Sequence, residues 1–158
     1  MKNLILALAV VGCGKKAAEP EPMKGAHANV TVEGGKAEVN GTNVEVSAYL
    51  KVENQGAATI TIQEVDYSVW LGDADCKETK EKAQSLTVAS MATEKFGLPA
   101  THTWGGEGDF PWKSAKFTGE VKWVDGHGNV HVSTFTGERE LEVTKAATGG
   151  VSASVQTQ

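Results

Sequence analysis

Cysteine and proline are scarce in this 158-residue chain, which holds two of the first and four of the second. Cys76 has no close cysteine or adjacent histidine, so neither a redox Cys-x-x-Cys pair nor a zinc-type ligand spacing surrounds it. Asp73, Asp75 and Glu78 flank it and disfavour a reactive thiolate, which leaves Cys76 as a plain loop residue. Long apolar runs are missing as well. The leading run, Leu4 to Val11, would rise about 12 Å as a helix, far short of a roughly 30 Å hydrocarbon core. No stripe of basic residues interleaved with aromatics occurs, and the formal net charge is −5, so a phosphate backbone would be repelled and nucleic acid is excluded as a partner. There is no Ser, His and acid arrangement with a nucleophile elbow. Amphipathic helices are absent too: Lys77 to Gln84, the one helix-friendly stretch, has no apolar stripe and reads as a loop or one short turn.

What the chain does have is a period of two. Val44, Val46, Ala48, Leu50 and Val52 alternate with Glu45, Ser47, Tyr49, Lys51 and Glu53, which describes a half-buried strand. Asn54-Gln55-Gly56 supplies a turn. Ile60 and Ile62 are then followed by Val65, Tyr67, Val69 and Leu71, a slip of one that a β-bulge at Gln63-Glu64 would absorb. Ala115, Phe117, Gly119, Val121 and Trp123 form another alternating set, and Asp125 to Asn129 makes a hairpin loop to a partner strand over Val130 to Phe135. Glu140 to Val143 closes the domain, with shorter candidates at Asn29 to Val32, Lys36 to Val39 and Ser85 to Met91. Seven or so short strands, 18 glycines for turns and no helix predict an all-β, two-sheet antiparallel β-sandwich over residues 27–145.

The flanks differ from this body. Lys2, the apolar run and Gly12-Cys13 have the layout of an export signal over residues 1–12. Val10-Val11-Gly12-Cys13 resembles the lipobox of bacterial lipoproteins, in which a peptidase cuts just before the cysteine. The resemblance implies that Cys13 becomes the lipidated N-terminus, carrying diacylglycerol and an N-acyl chain, so that the membrane is a partner through that lipid. Gly14 is not aspartate, which by resemblance to known sorting signals implies the outer membrane, facing the periplasm, in a Gram-negative envelope. Losing Met1 to Gly12 removes one cation, Lys2, and leaves 14 basic against 20 acidic residues. Residues 13–26, polar and proline-containing, read as a flexible linker, and residues 146–158 as a disordered tail.

Val46 to Asp73, VSAYLKVENQGAATITIQEVDYSVWLGD, resembles the late embryogenesis abundant type 2 family, also called the water-stress and hypersensitive-response domain. An alternating strand ends in the Val52-Glu53-Asn54 turn, and an Ile-x-Ile strand and Val65-Asp66-Tyr67 follow. In that family the asparagine belongs to an Asn-Pro turn; here Gln55 stands in the proline's place. The resemblance implies an immunoglobulin/fibronectin-III-like sandwich associated with desiccation and stress tolerance, without catalytic residues. Asn54 itself is suited to cap its own turn.

Two clusters bear on chemistry. His127 and His131 are four apart, but one falls in a hairpin loop and the other on a strand, a geometry that does not join two metal ligands. No metal, cofactor or enzymatic activity is therefore expected. Trp104, Phe110 and Trp112 stand among the glycines of Trp104 to Trp112. They either close one end of the sandwich or form a platform for a glycan or an envelope protein.

Overall fold

The computed structural model describes residues 24–81, 85–105 and 108–146. The expected leader, Cys13, all but the last residues of the linker and all but the first residue of the C-terminal tail lie outside them. Nine strands make up the described chain: β1 (Ala28–Asn40), β2 (Asn43–Asn54), β3 (Ile60–Leu71), β4 (Ala74–Glu81), β5 (Leu86–Val88), β6 (Thr93–Thr103), β7 (Ser114–Asp125), β8 (Val130–Glu140) and β9 (Glu142–Lys145). One sheet has the order β6-β2-β1-β9 and the other β4-β3-β7-β8, with β5 sharing the edge of β3 with β4. All pairings are antiparallel except that of β9 with β1. This is the predicted two-sheet sandwich, its chain alternating between sheets as β1-β2, β3-β4-β5, β6, β7-β8 and finally β9.

The alternating residues supply the core. Val46, Leu50 and Val52 of β2 and Leu98 of β6 face Ile60, Ile62, Val69 and Phe117 of the second sheet, all fully buried. Each such side chain contributes about 1.5–3 kcal/mol on burial. Register between β3 and β7 shifts between Ile62 and Glu64, where the phase slip calls for a bulge, and this lets both halves of β3 face inward.

Four local readings need correction. β1 is one strand rather than two short ones, because the Gly34–Gly35 pair forms a bulge and not a turn. Gly35 lies where β8 crosses toward β9, and a Cβ there would collide with the Glu140 carbonyl. Lys77 to Glu81 continues β4, which also takes Cys76 out of a loop and into a strand. β4 is an edge strand held by main-chain bonds to β3, and an edge needs no apolar stripe and tolerates charge. β6 has no counterpart in the sequence reading, since Gly97 and Pro99 interrupt it; proline is accommodated because β6 is the sheet's outer strand. Ser85 to Met91 shortens to the three residues of β5.

Asn54 is the one buried polar residue among those described, 1% exposed. Its Oδ1 accepts the Gly56 N–H at 3.0 Å, the turn cap expected from sequence. Its Nδ2 also donates to the carbonyls of Ala58, Val88 and Ala89 at 2.8–3.1 Å. Gln55 N–H reaches His27 and Ala57 N–H reaches Gly25, so the same turn holds the entry of the folded chain. Asn54→Ala removes the donor from three carbonyls and the acceptor from one N–H in a buried place. Each unsatisfied buried group costs about 1–3 kcal/mol, so the variant is expected to lose roughly 3 kcal/mol or more in urea unfolding. A loss under about 1 kcal/mol would show that the turn holds without its amide.

Candidate functional site

The strands place chemically distinctive residues at opposite ends of the sandwich. At the end where β1 begins lie the Asn54 turn and the β7–β8 hairpin, with Ile60 opposite Asp125. At the other end lie the β1–β2 and β3–β4 turns and the segment from Trp104 to Trp112.

Trp104, Phe110 and Trp112 are brought together. Phe110 meets Trp104 edge to face with centroids 5.8 Å apart, and meets Trp112 at 5.3 Å. Trp112 continues the series to His102 at 5.6 Å. All three are half-buried and pack against the core. Trp104 is tied down by its indole N–H to the Gly41 carbonyl at 3.1 Å and its main-chain N–H to Thr42. Trp112 lies over Gly72, where a Cβ would stand 2.9 Å from its Nε1. Edge-to-face packing turns these rings toward one another and toward both turns, so the cluster caps the core at this end. Gly106 and Glu107 fall outside the described residues.

The second cluster is organised by Asp125. Its Oδ1 accepts the main-chain N–H groups of His127 (2.8 Å) and Asn129 (3.0 Å), and its Oδ2 accepts the Asn129 amide and the His131 ring N–H, both at 3.0 Å. The hairpin is closed by Asp125 and Asn129 pairing through their backbones, with Gly128 at φ +87°. His131 also stacks on Trp123, centroids 4.2 Å apart and planes 15° from parallel. Trp123 in turn donates its indole N–H to Ser133 Oγ at 3.0 Å. Sequence spacing paired His127 with His131 as a question of metal ligation, whereas both instead serve one carboxylate, His127 through its backbone and His131 through its ring. Among the described residues no group of three His, Cys, Asp or Glu stands together as a metal cluster.

Four hydrogen bonds hold the Asp125 carboxyl far below the usual carboxylate range, the His131 ring first and Asn129 next. A carboxyl that binds its proton more weakly in the folded chain than in the unfolded chain stabilises the fold above the ordinary aspartate range. That contribution is lost as pH falls below about 4 and onward through the depressed folded value. Thermal melts from about pH 6 to about pH 2.5 are therefore expected to drop further for the native chain than for Asp125→Asn, which has no proton to gain. Equal drops would rule out the carboxylate as the source.

No protein-family model and no curated protein matches this chain in sequence. Solved structures do match in shape. A Bordetella pertussis protein assigned as ApaA aligns over 77% of this chain and 98% of its own, at 12% identity and a TM-score of 0.54. The structural-genomics target SoR45 aligns over 75% and 88%, at 8% identity and a TM-score of 0.55. These likenesses concern the fold alone. A Bacillus subtilis protein assigned as a lipoprotein, ycdA, aligns at 11% identity over 78% of this chain and 39% of its own with a TM-score of 0.41, too distant to bear on function.

Proposed function

We propose that this chain is a lipid-anchored, non-catalytic module of the cell envelope, of the late embryogenesis abundant type 2 kind, which protects against drying stress through its surface. The observation that carries the reading is the place of Val46 to Asp73. This segment forms β2, the Asn54 turn and β3, the crossing between the sheets, and the residue that carries the resemblance, Asn54, is the hub of that crossing.

The anchor reading rests on the Met1 to Cys13 layout. The first described residues bind the Asn54 turn, so the folded chain is entered at the end opposite the aromatic cap. The fourteen residues 13–26 reach at most about 45–50 Å when extended, enough to hold the sandwich clear of the lipid headgroups. Two or three acyl chains, at about 0.8 kcal/mol per buried methylene, hold such a domain firmly.

Cys13→Ser removes the acceptor sulfur and is expected to move the protein from the membrane to the soluble fraction. A strain lacking the protein is expected to survive drying less well, with rescue by the native chain and not by Cys13→Ser. Retention of Cys13→Ser on membranes contradicts the anchor, and unchanged survival of the deletion strain contradicts the protective role.

A further inference from the structure

The outer face of the first sheet has a concave place that neither the anchor nor the aromatic cap uses. β1 bulges at Gly34–Gly35, and β9 pairs with it only from Lys36 onward, so a notch of about 580 Å³ opens beside the bulge. That volume lies within the roughly 300–1,000 Å³ of small-ligand sites.

Tyr49 forms one wall. It points outward from β2 and is 51% exposed. Its neighbours in the notch and across the sheet include Gly34 and Gly97, neither of which has a side chain to cover the ring. The polar groups around it are uncommitted. Lys36, Ser47 and Glu142 line the notch, and none of them, nor the Tyr49 hydroxyl, has a partner among the described residues. Arg139 closes the back, pinned by its Nε–H to the Val32 carbonyl at 2.6 Å and its Nη1 to the Glu138 carbonyl at 3.1 Å. Two cations, Lys36 and Arg139, are matched by two acids, Glu140 and Glu142, so neither an anion nor a cation gains a net attraction.

An open aromatic face beside an unpaired hydroxyl, amine and carboxylate, in a neutral field, is the chemistry that recognises a neutral polyhydroxylated ligand. The apolar C–H face of a sugar ring lies on the aromatic, and its hydroxyls take the polar rim. We propose that this notch binds a neutral oligosaccharide, with Tyr49 as the stacking platform and Ser47, Lys36 and Glu142 as its hydrogen-bonding rim. The proposal goes beyond the anchored protective module and stands without it. The capping rings at the far end are poorer platforms, since their edges and faces are taken up by one another.

The test is titration of the full chain, extracted in detergent, with cellohexaose, chitohexaose, maltohexaose and mannohexaose, read by calorimetry and by the Tyr49 ring signals in NMR. At least one sugar is expected to saturate the site. Tyr49→Ala is expected to weaken it at least about tenfold and Tyr49→Phe less than about threefold, with Lys36→Ala on the opposite wall intermediate and all melting curves close to the native one. Failure of all four sugars overturns the proposal. So does binding that survives Tyr49→Ala, or binding lost in Trp104→Ala while Tyr49→Ala retains it.

Discussion

One buried amide joins parts of the chain that hydrophobic burial alone would leave free to slide. Moving an amide from water into an apolar interior without partners costs roughly 2–7 kcal/mol, so Asn54 is tolerated only where its partners are all in place. Those partners come from its own turn, from the start of the β3 approach and from the end of β5 and the residue after it, 34–35 residues further on. A slip of β2 or β3 by one residue in its pairing would leave the amide unsatisfied while also turning that strand's alternating side chains to the wrong face. The apolar sandwich supplies the stability, and Asn54 selects one arrangement of it. Ser90 Oγ on the Gly56 carbonyl at 2.8 Å and Ala92 accepting the Asn54 N–H reinforce the same junction.

The strands whose alternation is strong, β2, β3, β7 and β8, could be read from the residues, as could the bulge in β3 and the hairpin at Asp125. β2, β3 and β7 each have one face buried, and burial is what writes a period of two into a sequence, whereas β8, with Phe135 as its one buried residue, was legible through the hairpin that returns it beside β7. β4 and β6 lie at sheet edges, where partnership is through main-chain bonds on one side only; KETKE has no apolar residue to alternate, and in KFGLPA Gly97 and Pro99 interrupt the alternation that buries Leu98 and Ala100. The double role of Asn54 was half legible: the turn cap is local, while the bonds to Val88 and Ala89 depend on where the distant end of β5 is placed, which no local rule fixes. Likewise His131 sits six residues from Asp125 yet against it, because a tight hairpin folds the two together. The notch at Tyr49 left no signal, since Gly34–Gly35 resembles a turn and Tyr49 falls on the polar side of its strand.

The edges of the sheets are blunted in different ways. β6 carries Pro99 and Lys95, β9 is four residues long, and the sequence of β4 alternates charges. The second half of β8 leans on β1, through Arg139 to the Val32 carbonyl. The outer face of the first sheet bears a chain of exposed ion pairs, Lys95 to Glu33 and Lys51 to Glu33 and Glu53, which lower the two glutamates' affinity for protons and raise that of Lys51. Such pairs add little stability in water but keep the surface hydrated and unattractive to neighbouring strands.

Everything proposed for the molecule's place in the cell passes through one sulfur. Intact-mass measurement of the protein extracted from membranes tests it in a single step, because cleavage and acylation both change the mass. The account predicts a chain beginning at Cys13 that is heavier than its amino acids by a diacylglyceryl group and an acyl chain. A mass matching the unmodified chain, with Met1 to Gly12 still present, would contradict it.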